Sequence, residues 1–162
     1  MKKIIVIGCP GAGKSTFSRK LAAKTGIPLH YMDMLWHKPD KSNIGREALF
    51  RELKNIVTGD EWIIDGNYLH TLRLRLHYCD TVIFLDFPVE VCLEGAFGRI
   101  GKKRVDMPWT ETEMDPGFHQ WILNFAETQL PPLNKLLESY SQTVKIIRFK
   151  SRNEADAFID SI

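Results

Sequence analysis

The stretch from Ile4 to Phe17, IIVIGCPGAGKSTF, constrains this chain more than any other. Four β-branched residues in a row suit a strand covered on both faces. Glycines then punctuate a tight turn, and Lys14, Ser15 and Thr16 open a helical pattern. Gly8-Cys9-Pro10-Gly11-Ala12-Gly13-Lys14-Ser15 satisfies G-x-x-x-x-G-K-[ST] in full, in the strand–turn–helix context the pattern needs. Such glycines let successive N–H groups curl inward around phosphate oxygens, and the helix N-terminus adds partial positive charge. Lys14 supplies a mobile cation for the β- and γ-phosphates, and the Ser15 hydroxyl suits Mg²⁺. Gly8, Pro10, Gly11, Ala12, Gly13, Lys14, Ser15 and Thr16 are therefore the candidate ligands of ATP. The motif leaves the destination of the phosphate open.

The rest of the chain repeats the strand–helix rhythm. Strands are expected over Lys3 to Ile7, Pro28 to Tyr31, Trp62 to Ile64, Thr81 to Leu85 and Val144 to Phe149. Helical patterns cover Lys14 to Lys24, Arg46 to Val57, Tyr68 to His77, Val89 to Arg99, Phe118 to Tyr140 and Ser151 to Ile162. Pro131-Pro132 should break or kink the fifth of these. Ser151 is placed to cap the last, with Glu154 completing a capping box. Alternation of this kind argues for a parallel α/β sheet, and 162 residues suit one domain. The three cysteines, Cys9, Cys79 and Cys92, have no framework spacing, so they are expected as reduced thiols in a cytoplasmic protein. No apolar run is long enough for a membrane span. With 22 basic against 20 acidic side chains, no strong field favours a nucleic-acid partner.

Ligands of an open parallel sheet sit at the carboxyl ends of its strands. Asp33, Asp65 and Asp86 follow the second, third and fourth expected strands. Acids there could hold hydrated Mg²⁺ or accept a proton from an attacking hydroxyl, although each alone could be a turn residue. Ile100 to Gly117, IGKKRVDMPWTETEMDPG, breaks the rhythm with a polar, proline-containing loop. It reads as a lid over residues 100–117 or, more plainly, as a solvated surface loop.

WIIDGNYLHT and VIFLDFPVEVCL, together with the phosphate loop, resemble the adenylate-kinase-like P-loop kinases of the nucleoside monophosphate kinase class. HYMDMLWHKP, EWIIDGNY, RLHYCDTVIFLDFP, KKRVDMPW and HQWILNF resemble, more narrowly, the DNA topology modulation (FlaR-like) family of expected kinases. The resemblance spans nearly the whole chain. It implies a three-layer P-loop NTPase fold, with five parallel strands and the strand of Asp65 beside that of the phosphate loop. It makes Asp65 the acid that orders Mg²⁺ and puts Asp33, Asn67, Tyr68 and Arg75 at the phosphate acceptor. Arg99 and Arg104 match lid arginines that neutralise the moving phosphoryl group. One departure stands out: relatives often carry a further arginine where this chain has Gly95, which implies a weaker or more mobile lid.

Arg73 and Arg75 cannot share a helical face, and Arg75 is the one expected in the cleft. Trp36 and Tyr31 flank Asp33 and could stack on a ring, and His37 and His70 could line the same pocket. Trp121, Ile122 and Phe125 recur at helical spacing and read as core. The Lys150-Ser151-Arg152 loop, by the same resemblance, packs against adenine. Two functions follow. One is an ATP-dependent phosphotransferase acting on a small-molecule or nucleotide acceptor. The other is a nucleotide-switched regulatory or DNA-associated protein, against which stand the near-neutral charge and the lack of a basic stripe.

Overall fold

Five parallel strands run through the computed structural model, which describes Met1–Ile162. They are β1 (Lys3–Gly8), β2 (Leu29–Tyr31), β3 (Trp62–Asp65), β4 (Thr81–Leu85) and β5 (Lys145–Phe149), standing side by side in the order β2-β3-β1-β4-β5. The strand ending in Asp65 does lie beside that of the phosphate loop, with Val6 in register with Asp65. From β1 the chain builds one side through β2 and β3, then crosses to β4 and β5 on the other. That reversal opens a crevice at the carboxyl ends of the central strands.

Successive residues of a strand point to opposite faces, so the core divides in two. On one face Ile4, Val6, Ile63, Ile83 and Leu85 meet helices α1 (Lys14–Thr25), α5 (Val89–Gly98), α6 (Pro116–Leu123), α7 (Phe125–Thr128) and α9 (Arg152–Asp160). On the other, Ile5, Ile7, Trp62, Ile64, Val82 and Phe84 meet α2 (Met32–Trp36), α3 (Arg46–Val57), α4 (Leu69–Tyr78) and α8 (Leu130–Tyr140). In α3, Leu49, Leu53 and Val57 recur every fourth residue and are fully buried. Each such side chain stabilises the fold by about 1.5–3 kcal/mol. This is the three-layer P-loop NTPase architecture. No helix is long and apolar enough to cross a membrane.

Three local features depart from expectation. MDMLW, directly after β2, forms the short α2, too brief for periodicity to announce. The expected Phe118 to Tyr140 helix is three pieces, interrupted at Asn124 and Gln129. Pro131 and Pro132 do not kink a helix but open α8, where the first-turn N–H groups have no intrahelical partner to lose. The Ser151 hydroxyl accepts the Glu154 N–H as expected, at 3.3 Å, but the Glu154 carboxylate takes the N–H of Lys150 rather than that of Ser151.

Candidate active site

The loop after β1 is shaped by backbone freedom. Gly11 (φ 85°) and Gly13 (φ 93°) adopt left-handed conformations that side chains rarely tolerate. Gly13 caps α1 without any side-chain hydrogen bond. The N–H groups of Gly11, Gly13, Lys14, Ser15 and Thr16 accordingly donate to no acceptor within the protein. Helix α5 lies hard against the same loop. A Cβ on Gly11 would stand 1.9 Å from the Cys92 carbonyl oxygen, and one on Gly95 would stand 2.0 Å from that of Gly11. Gly95 is therefore no gap in a lid: no side chain fits there, and its bareness seats α5 on the loop. The Arg152 guanidinium, from the start of α9, comes within 3.1 Å of where that Cβ would be.

Lys14, Ser15 and Asp65 converge. Lys14 Nζ donates to the carbonyls of Gly8 (3.0 Å) and Cys9 (3.3 Å), across the loop it follows. Ser15 Oγ lies 2.5 Å from Asp65 Oδ2 and 2.8 Å from Asp106 Oδ2. Asp65 is 4 % exposed, and its Oδ1 has no partner. Burial pushes this carboxyl up to about 6, against the charge of Lys14 and the hydrogen bond from Ser15. A carboxylate kept in place against its own desolvation is a mark of functional sites.

That penalty has a measurable sign. An unfolded carboxyl releases its proton near the ordinary 3.8, the folded one near 6. Between those values the folded state holds more protons, so stability falls as pH rises through the window and stays lower above it. Asp65→Asn removes the penalty. At pH 7, without metal, the variant is expected to be about 1–3 kcal/mol more stable than the parent. Urea titrations from pH 4 to pH 7 check this, and parallel curves for the two proteins would refute it.

At the other end of the crevice, Tyr68 OH donates to Asp33 Oδ1 at 2.6 Å, and His37 Nε2 stands 4.0 Å from the same oxygen. Burial, and then the Asp33 charge, push the Tyr68 phenol up, so it stays a donor. Tyr31, Asp33, His37, Tyr68 and His70 line this end together with Trp109 and Lys41, neither of which was a candidate site residue from the sequence. Trp109 comes from the 99–115 connection. Its ring packs edge-on to His37 at 4.9 Å, with Lys41 Nζ 5.9 Å from its centre.

Several expected residues have other duties. Asn67 lines the cleft, but its amide is committed to Gly8, accepting from the N–H (3.0 Å) and donating to the carbonyl (2.8 Å). Arg75 does not line the cleft: it is fully buried and donates to the backbone carbonyls of Gly66, Asn67 and Tyr68. Trp36 stands behind the pocket wall, edge-on to Tyr68 and His70. Asp86 is paired with Arg148 and Lys150 at the β4–β5 edge. Trp121 is 48 % exposed on the cleft rim while Ile122 and Phe125 are buried, because the break at Asn124 turns Phe125 off the face it would share with Trp121.

The expected lid is an irregular connection from α5 to α6, folded onto the cleft. Arg104 grips Asp106 (Nη2 to Oδ2, 2.5 Å) and reaches Glu111 Oε2 at 3.4 Å. Arg99 Nε lies 3.3 Å from the same Glu111 oxygen. Burial, then the neighbouring Arg104, lower the Arg99 guanidinium from its ordinary value. Burial alone would raise Asp106, but Arg104 and Ser15 hold it below the usual carboxylate range. Asp106 and Trp109 lie within KKRVDMPW, which carries the family likeness, but neither they nor Glu111 have a periodic setting, and it is their tertiary contacts that give them a role.

Together these walls enclose about 1480 Å³, from Arg152 and Asp156 at one end to His37 and Trp109 at the other. That exceeds the roughly 300–1,000 Å³ of a single-ligand pocket and leaves room for two.

No protein-family model matches the chain, and no curated protein matches it either. Among solved structures it is similar to shikimate kinase from Acinetobacter baumannii in complex with shikimate, with a TM-score of 0.64 and 17% identity over 99% of this chain and 90% of that one. It is also similar to shikimate kinase from Aquifex aeolicus, with a TM-score of 0.53 and 19% identity over 98% and 91% of the two chains. At such identities the likeness speaks for the fold.

Proposed function

We infer that the chain is an ATP-dependent phosphotransferase that moves the γ-phosphate of ATP to a hydroxyl of a small-molecule acceptor. One observation carries the reading: a ring of main-chain N–H groups with no acceptor in the protein opens, beside Lys14, into a cleft with room for a second ligand. Those N–H groups and Lys14 bind the triphosphate. The hard oxygens of Ser15 and Asp65, one of them buried and unpartnered, fit Mg²⁺. Bound there, the metal supplies neutralising charge for the terminal phosphates.

Asp33, held by Tyr68, accepts the proton of the acceptor hydroxyl. Arg99 and Arg104, from the lid, balance the charge on the phosphoryl group in flight. The lid also excludes water, so that transfer outruns hydrolysis. Catalysis on this reading is positioning and electrostatics, without a covalent intermediate.

The acceptor end favours an uncharged or singly charged hydroxy compound over a nucleotide. Its polar groups are one carboxylate, a lysine, two tyrosines, two histidines and the Trp109 indole, while the nearby Arg99 and Arg104 are paired with Glu111 and Asp106. The arginine expected to grip an acceptor phosphate, Arg75, is committed to backbone carbonyls. Shikimate, which the Acinetobacter structure holds, is a small hydroxy acid of that kind. The DNA-associated alternative has no feature of the cleft in its favour.

The test is an ATP-consumption screen over nucleosides, nucleotides, sugars and small hydroxy acids, shikimate included. Acceptor-dependent turnover is expected from a neutral or monoanionic hydroxy compound. Turnover confined to nucleoside monophosphates would overturn the acceptor reading, and no Mg²⁺-dependent ATP binding by calorimetry would overturn the whole.

A further inference from the structure

The lid delivers a carboxylate to the phosphate loop. Asp106 is 4 % exposed and lies 91 residues along the chain from Ser15, whose Oγ it meets at 2.8 Å. Its partner Arg104 is only two residues away, so the ion pair could have formed in solvent. Carrying it into the cleft desolvates a charge, which costs several kcal/mol unless something there repays it. Ser15 alone does not: its hydroxyl has one hydrogen, and Asp65 Oδ2 lies closer to it, at 2.5 Å. Two carboxylates thus crowd one hydroxyl oxygen, and on the Asp65 carboxylate a buried Oδ1 is left with no partner at all. Beyond the N–H groups that Arg104 gives Asp106, these converging hard oxygens share one hydrogen and leave one oxygen orphaned, and such a set suits a small divalent cation.

We propose that Asp106 is a lid-borne ligand of the metal that accompanies ATP, so that loading the metal and closing the lid are one event. The inference rests on the phosphotransferase reading and deepens it. The metal joins Ser15 and Asp65 on the sheet side to Asp106 on the lid side. The lid is fixed in that pose at two other points: Glu111, which faces both Arg99 and Arg104, and Trp109, packed on His37. Asp106 is thereby presented by a loop whose next five residues are tied down at Trp109 and Glu111. An open lid leaves the metal with fewer protein ligands, and ATP bound without metal gives the lid less reason to close.

The rival role for Asp106 is that of a positioning partner for Arg104 alone. Metal affinity separates the two. The probe is Mn²⁺, followed by electron paramagnetic resonance in the presence of the non-hydrolysable ATP analogue AMP-PNP. Asp106→Asn, nearly isosteric, is expected to weaken Mn²⁺ about 10–100-fold. AMP-PNP affinity measured in EDTA should not weaken, since the N–H ring is untouched and a carboxylate beside it is gone. Asp106→Cys gives a second arm: Cd²⁺ with AMP-PNP should produce a thiolate-to-cadmium ultraviolet absorption absent from the parent, whose three thiols are buried. Circular dichroism confirms that both variants are folded. Unchanged Mn²⁺ affinity in the Asn variant, or no absorption in the folded Cys variant, overturns the proposal and leaves the phosphotransferase standing. A parent that takes up no Mn²⁺ with AMP-PNP removes both.

Discussion

Lys14→Ala is expected to lower acceptor-dependent ATP turnover by about 10²–10³-fold or more, the loss typical of removing one preorganised group from a developing oxyanion. The reason is local. Lys14 is half-buried, and its Nζ holds only two carbonyls of its own loop, Gly8 at 3.0 Å and Cys9 at 3.3 Å. Those bonds bring a cation to the mouth of the N–H ring while leaving it free to turn outward. No carboxylate pairs with it, so its charge remains available to a polyanion. The same facts limit the effect on stability. Two hydrogen bonds from a half-exposed lysine contribute about 1–2 kcal/mol between them at most, and the loop is held independently by Asn67 and α5. Turnover and thermal melting measured on one preparation check both halves. A variant that keeps the parent's turnover refutes the triphosphate site, and one that fails to fold refutes the claim that the loop stands without its lysine.

What could be read from the sequence, and what could not, divides along a physical line. The strands, α3 and the phosphate loop were legible because each is written in a contiguous run: β-branched residues for a covered strand, a four-residue apolar stripe, glycines where φ must be positive. Asp65 beside Ser15 was legible through the likeness to P-loop kinases, and the sheet order bears that arrangement out. Direction was not legible. Asn67 and Arg75 flank the pocket in sequence, yet both point at backbone, since a residue list does not say which way a side chain turns. Gly95 read as a missing arginine, whereas the contact that demands a glycine, with the Gly11 carbonyl, joins segments some eighty residues apart. Asp106 and Trp109 fall inside KKRVDMPW, a stretch that carries the family likeness, but that likeness gave them no role and the stretch has no periodicity. Their burial depends on how the whole connection from α5 to α6 lies over the cleft, a tertiary fact with no local signature.

Arg75 carries the largest expected effect on the fold. It is fully buried, and every hydrogen bond it makes goes to a backbone carbonyl or to Thr71 rather than to a carboxylate. Its charge is instead solvated by three consecutive carbonyls, Gly66 at 2.8 Å, Asn67, and Tyr68 at 3.3 Å, while Nε donates to Thr71 Oγ1 at 3.1 Å. Burial pulls the guanidinium down to about 9, so it is charged at neutral pH. The turn it grips is strained. Tyr68 sits in the left-handed region at φ 37°, ψ 63°, where a bulky side chain costs about 1–3 kcal/mol. A Cβ on Gly66 would come within 2.7 Å of Met32. What holds the turn is the guanidinium fork, and what the turn holds is Tyr68 OH against Asp33. Arg75→Met fills the volume but leaves the Gly66 and Asn67 carbonyls without donors, that of Tyr68 keeping the Thr71 N–H and hydroxyl. It is expected to destabilise the protein by about 2–5 kcal/mol, the cost of two carbonyls left unsatisfied at about 1–3 kcal/mol each. Arg75→Lys should not rescue it, because a single ammonium cannot reach three carbonyls and Thr71 at once. In whatever fraction stays folded at low temperature, the released Tyr68 should raise KM for the acceptor more than KM for ATP, since the N–H ring lies on another loop. Denaturant titration and two-substrate kinetics read these effects. Wild-type stability in Arg75→Met would mean the carbonyls need no clamp, and an unchanged acceptor KM would mean that Tyr68 is set by Asp33 alone.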